Sequence, residues 1–372
     1  MMNINRYTHG PKWTCALAVL LGCLMVGLGQ PGVRAQGDPA ASSPPAVAEG
    51  IVTSILEAET IELQGESQQY QKLEIRVLTG PRNGETVVVE TGDFAAVAVS
   101  SYAVGDRVLL ESSPDGTGAE SFFITDRVRR APLYLLFGLF VVVTVLVGRG
   151  RGFASLIGLA FSFAVIFLYV LPQILAGRDP ILVALSAALV IIPVTFSLSH
   201  GLNRKTGAAV VGTVVALAIT ALLATAFVDL TQLTGYSSEE AAFLQIAQQG
   251  ALNMRGLLLA SIIIGLLGIL DDITVSQAAI VYQLHDTSPG LTRWELYRRA
   301  MDVGRDHIAS LVNTLILVYT SAALPLLLLF QRDTTAFGTV INYEIVAEEI
   351  VRTLLASIGL ILAVPITTAV TC

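Results

Sequence analysis

The chain has 372 residues, 53% of them hydrophobic and 14% charged, and its mean hydropathy is +0.69. That is more apolar surface than one soluble core can bury, so a lipid bilayer is the expected solvent for much of it. The net charge of −7 comes mostly from acidic residues before position 128 and from a few loops, so it marks no single surface and nucleic acid is not an expected partner.

Residues 1–35 read as an export signal, with Arg6 and Lys12 as the basic segment, 14–29 as the apolar one, and Val33-Arg34-Ala35 as a small-residue cleavage site before Gln36. The rival reading is an uncleaved anchor helix, although the run is short for a span. Cys23 after Leu20-Leu21-Gly22 matches a lipoprotein site poorly, because apolar residues follow it. Removal of the signal takes Cys15 and Cys23 and leaves Cys372, so neither an intrachain disulfide nor a cysteine-based zinc site is expected, and no metal site is assigned. Residues 36–49, rich in Pro, Ala and Ser, read as a flexible leader.

Structure is expected to begin at Gly50. Short β-prone runs follow at 51–56, 60–63, 73–78, 86–90, 95–99, 107–111 and 122–128, separated by turn signals such as Gly80-Pro81-Arg82-Asn83-Gly84 and Pro114-Asp115-Gly116. The spacing predicts an extracytoplasmic β-rich domain over 50–128, a small barrel or sandwich of the OB type. It holds no evident metal cluster or catalytic set, so a structural module or one that docks an envelope protein is the plainest role. Arg127, Arg129 and Arg130 mark where the chain meets the membrane surface, against the usual charge bias.

From residue 131 to 372 the sequence predicts an α-helical polytopic membrane domain of about seven spans, since a hydrocarbon core about 30 Å thick takes about 20 apolar residues per helix. The spans fall near 131–148, 152–172, 180–200, 207–229, 256–283, 308–330 and 349–370. With the β domain outside, the inner loops carry Arg149 and Arg151, then Arg204 and Lys205, then Arg293, Arg298, Arg299 and Arg305. This excess agrees with the positive-inside rule and puts the C-terminus in the cytoplasm. Ser237-Ser238-Glu239-Glu240 opens a capped interfacial helix, and Thr292-Arg293-Trp294-Glu295 a short amphipathic one on the inner leaflet. Pro172, Pro193, Pro325 and Pro365 allow kinks in or beside the spans.

The fifth span is interrupted by Asp271-Asp272. A charge inside a bilayer costs several kcal/mol unless it is paired, protonated or wetted, so intramembrane carboxylates are functional candidates by default. Ser261, Gly265, Gly268, Asp272, Ser276, Ala279 and Gln283 recur at intervals of three or four, a small or polar stripe that would let another backbone approach. On the sixth span Ser310, Asn313, Thr314, Tyr319, Thr320 and Ser321 supply groups able to hydrogen-bond a carboxyl, which suggests a relay. The bland alternative is that the aspartates cap a helix break or bind helices together. His200 with Asn203, Arg204 and Lys205 reads as a cytoplasmic anion or gating site, or more simply as a positive anchor.

The segments 200–206 (His-Gly-Leu-Asn-Arg-Lys-Thr), 268–276 (Gly-Ile-Leu-Asp-Asp-Ile-Thr-Val-Ser), Gly304-Arg305-Asp306 and 313–317 (Asn-Thr-Leu-Ile-Leu), in this order after a β domain, resemble the YibE/F family of multi-pass bacterial membrane proteins. The resemblance runs from about residue 50 onward and implies a bacterial plasma-membrane location more firmly than a reaction. The helix at 268–281 is also locally similar to the paired-aspartate helix of resistance-nodulation-division permeases, where such residues serve proton coupling. The large external domains of those pumps are absent, so drug efflux is not carried over.

Together these features lead to an expected proton- or ion-coupled secondary permease using Asp271, Asp272, Ser276, Gln283, Asn313 and Thr314, with no cofactor and a small solute or ion as cargo. The alternative is a non-transporting scaffold or sensor whose external domain binds an envelope partner; oligomerisation is open in both. An enzyme is not expected, because adjacent aspartates project apart and no second intramembrane acid faces them. No nucleotide-binding loop is present either.

Overall fold

The computed structural model describes residues 46–63, 66–80, 82–92, 101–114, 120–332 and 336–372. The export signal, most of the leader, the run at 95–99, and Pro81 and Asp115-Gly116 of the turns lie outside the described residues. The described chain divides into two compact units, one up to Val142 and one from Val143 to Cys372.

The first unit holds five antiparallel strands: β1 (Ala46–Leu63), β2 (Glu66–Val77), β3 (Thr86–Thr91), β4 (Arg107–Pro114) and β5 (Glu120–Arg127). They are ordered β3-β2-β1-β4-β5, and the edge strands β3 and β5 approach each other, so the sheet curls into a half-barrel. Alternation sets its faces: Leu73, Ile75 and Val77 are buried while Lys72, Glu74 and Arg76 point away. Val52, Val89, Val108 and Leu110 complete the core. Gln71 continues the buried face, and its amide accepts from Tyr102 N at 2.7 Å and donates to Tyr102 O at 3.1 Å, pinning the segment before β4.

Two expectations change here. Residues 46–49 belong to β1 rather than to a leader, because they pair with 109–112 of β4. The runs at 51–56 and 60–63 form one strand, because Glu57, Ala58 and Glu59 pair continuously with β2 after bulges near Val52 and Ile55.

The second unit is helical. The helices of the chain are α1 (Arg130–Val165, continued through a π-helical turn at Ile166–Val170), α2 (Leu171–Leu175), α3 (Pro180–His200), α4 (Arg204–Leu230), α5 (Glu239–Ala247), α6 (Met254–Thr287), α7 (Arg293–Ala322), α8 (Leu324–Arg332), α9 (Phe337–Val340) and α10 (Glu344–Thr371). Among the described residues five helices are long and apolar enough to cross a membrane, or up to six if α7 and α8, bent by 63°, form one span. The first of these runs 46 residues from Arg130 to Leu175. A straight helix of that length would reach about 70 Å, over twice a hydrocarbon core. It is broken at Arg149, whose φ of 52° and ψ of −135° lie outside helical space. The chain turns back there so tightly that a Cβ on Gly152 would strike the carbonyl oxygen of Thr144.

Side-chain caps fix five starts: Asp179 for α3, Asn203 for α4, Ser238 for α5, Asn253 for α6, and a full capping box of Thr292 and Glu295 for α7. The helix α6 is central, packing against α3, α4, α7 and α10 with Ile262, Ile263, Leu266, Leu270 and Ile273 fully buried. Close packing depends on glycines of other helices. Gly212 lies against Thr367, Gly359 against Thr220, and Gly304 against Val364 and the Gln277 amide. The loop after α4 is fastened to the start of α10, where the Glu344 carboxylate accepts Thr234 N at 2.6 Å and Gly235 N at 2.9 Å. One turn on, Glu348 accepts from Ser237 Oγ and from Arg352 at 2.6 Å.

Candidate functional site

A cavity of about 880 Å³ opens within the helical unit, bounded by the segments on both sides of the Arg149 break, the last two turns of α3 and the middle of α6. Helical geometry brings these parts together. Gly158 lies against Thr195, so α1 and α3 touch at this point, while α6 turns its small face toward the space beside them.

Asp271 and Asp272 both line this space. Asp272 is exposed to it, whereas Asp271 is half-buried and its Oδ1 is buried without a hydrogen-bond partner. The turn that carries them is held from behind, where Thr274 and Thr213 share a buried hydrogen bond of 2.6 Å and Thr274 also donates to the Asp271 carbonyl at 3.3 Å. His200, at the end of α3, and Ser276, one turn beyond Asp272, line the same space. His200 is within electrostatic reach of Arg151, Lys205 and Asp272. Among the described residues no three His, Cys, Asp or Glu side chains converge as metal ligands would.

The remaining sequence candidates lie elsewhere. Asn203 is committed to the α4 cap, with Oδ1 accepting from Thr206 N at 2.9 Å, and it, Arg204 and Lys205 are not cavity residues. Gln283 lies beyond the cavity on an exposed face of α6. Asn313 and Thr314 do not reach the aspartates: α7 runs beside α10 and turns Ile308, Leu311 and Leu315 toward the core, which leaves Ser310, Asn313 and Thr314 on its exposed side. Thr314 instead bonds back to the Ser310 carbonyl at 3.0 Å.

The small stripe of α6 behaves differently from the expectation. Gly265 and Gly268 have no atom within 4 Å of where a side chain would begin, so the stripe borders open space and admits no other backbone. Sequence reasoning also missed Thr144, Arg151, Ser155, Ser162, Thr195 and Ser199, which line the cavity opposite the aspartates. The spacing of Ser155, Gly158 and Ser162 at i, i+3 and i+7 was the available signal, a small polar edge on an otherwise apolar helix.

The YibE/F-like protein family model matches residues 136–372. The chain belongs to the YibE/F family. The family region begins after the half-barrel, later than the resemblance from about residue 50 implied, and it includes every residue of the cavity. No curated protein and no solved structure matches this YibE/F member.

Proposed function

We propose that the chain is a proton- or ion-coupled secondary permease of the bacterial plasma membrane, with Asp272 taking up and releasing the coupling ion and Asp271 as its neighbour. The observation that carries this reading is the cavity itself. Two carboxylates within the apolar run of α6 line a cavity walled partly by hydroxyl groups, and neither has an ion-pair partner among the described residues. Carboxylates that only fastened helices together would be sealed against a donor, whereas Asp272 is exposed to the cavity and Asp271 lines it without a partner on its buried Oδ1.

The cavity lies beside the break of α1, which carries Arg149 and Arg151, and beside the end of α3, after which α4 begins with Arg204 and Lys205. By the positive-inside rule that end is cytoplasmic, so the described state is inward-open. The finer topology follows the breaks. Division of the first long helix at Arg149, and joining of α7 and α8 into one bent span, supports about seven crossings with the half-barrel outside and Cys372 inside.

The test is internal pH in proteoliposomes under an imposed ion gradient, for the native chain, Asp271→Asn, Asp272→Asn and the double variant. Proton movement by the native protein, and its loss to background in Asp272→Asn, is expected. Full movement in that variant would remove Asp272 from the mechanism, and a native chain that moves no protons would favour the scaffold.

A further inference from the structure

The cavity holds charges of both signs that do not pair with one another. Asp271 and Asp272 enter it from α6, and Arg151 from the first turn after the break at Arg149. Among the described residues neither aspartate nor Arg151 forms an ion pair, and Arg151 is exposed toward the space. His200 lines the same cavity and stands within electrostatic reach of both Arg151 and Asp272.

A guanidinium and a carboxylate that share one cavity attract each other, and a fold that let them meet would gain a bidentate pair. Here helix placement holds them apart. The volume, about 880 Å³, is also far more than one bare ion needs and falls within the range of small-molecule sites. Ser155, Ser199 and Ser276 supply neutral hydrogen-bonding groups between the charged walls.

We propose that the cavity binds a small zwitterionic solute, with its ammonium on Asp272 and Asp271 and its anionic group on Arg151 beside His200. This rests on the permease reading and names the class of its cargo. An ammonium joined to a carboxylate or phosphate by a short chain fits both ends at once, whereas a dication or a dianion meets a like charge at one end. The same chemistry occurs in soluble amino-acid derivatives and in the headgroup of phosphatidylethanolamine, and the assay distinguishes the two.

The test is calorimetric titration of the full chain in detergent with four probes: glycylglycine, phosphoethanolamine, putrescine and succinate. The zwitterions are expected to bind at least about tenfold more tightly than the other two. Arg151→Gln should weaken the zwitterions about tenfold and improve putrescine, Asp272→Asn should weaken them and improve succinate, and Arg151→Lys, which keeps the charge, should retain binding. A tenfold change corresponds to about 1.4 kcal/mol. Binding of phosphoethanolamine alone, abolished in nanodiscs containing phosphatidylethanolamine, supports the proposal with a lipid headgroup as the source. Binding of glycylglycine that is unchanged in those nanodiscs supports it with a soluble solute. Equal binding of all four probes, binding of none, or insensitivity to both charge-removing substitutions overturns it. Proton movement that depends on Asp272 without zwitterion binding overturns this proposal and leaves the permease; zwitterion binding with no flux of protons or of labelled probe overturns the permease instead.

Discussion

Gln277 has no exposed surface and divides its amide between two helices. Its Nε2 donates to Ala300 O on α7 at 3.0 Å and to Thr368 Oγ1 on α10 at 2.8 Å, so one side chain ties α6 to both neighbours. Gly304 makes the space, since a Cβ there would stand 2.6 Å from Val364 Cγ1 and 3.1 Å from the amide. Truncation by Gln277→Ala removes both bonds and leaves a void, and is expected to cost about 2–3 kcal/mol in reversible unfolding in micelles. Loss below about 0.5 kcal/mol would show that the amide contributes little. Legibility at this scale followed charge. Asp271, Asp272 and His200 stood out as ionisable groups in apolar helices, and all three line the cavity. Gln277 did not stand out, because an uncharged amide among Ser276 and Ala278 reads as part of a polar face. Arg151 counts in the sequence only as a positive charge of an inner loop beside Arg149, which says nothing of a cavity.

At the scale of elements, long apolar helices, capped starts and alternating strands were plain, because propensity, pattern and capping agree. Contacts between elements were less so. The polar side of α7 was expected to face Asp272, yet residue size and polarity do not say which neighbour a helix face meets, and packing on α10 decided it. Pairing with β2 likewise overrode the weak strand propensity of Glu57, Ala58 and Glu59. The last strand offers a pH prediction. The side-chain bond from Arg129 at 2.7 Å, reinforced by the Arg127 N–H, holds the Asp126 carboxyl below the usual carboxylate range. Asp126 therefore ionises more readily in the folded state. Its contribution is present above the unfolded pKa of about 3.9 and is lost as pH falls through the lower folded value. Amide exchange of β5 in the full chain, corrected for intrinsic rate, should be flat from pH 7 to about 5 and accelerate below about 4. Asp126→Asn should flatten that rise, and an unchanged profile would remove Asp126 as its cause.

At the scale of the whole molecule, interruptions are distributed unevenly. The first long helix is broken at Arg149 and loosened by a π-helical turn, α3 and α10 contain Pro193 and Pro365, and α7 meets α8 at 63°. The 34 residues of α6 run from Met254 to Thr287 without proline or break, about 51 Å of continuous helix. It also touches α3, α4, α7 and α10. In mechanical terms α6 has the form of an axle: the part with the most bearings and no joint. On the permease proposal its aspartates would stay in place while access to them changes, which assigns the gate to the helices that carry the breaks. Spin labels at Ser261 and His285, both on α6, should keep one separation near 36 Å with and without glycylglycine. Labels at Phe163 and His285 should shift between those conditions. A moving first pair with a fixed second pair would mean that the axle, and with it the charge, is what travels.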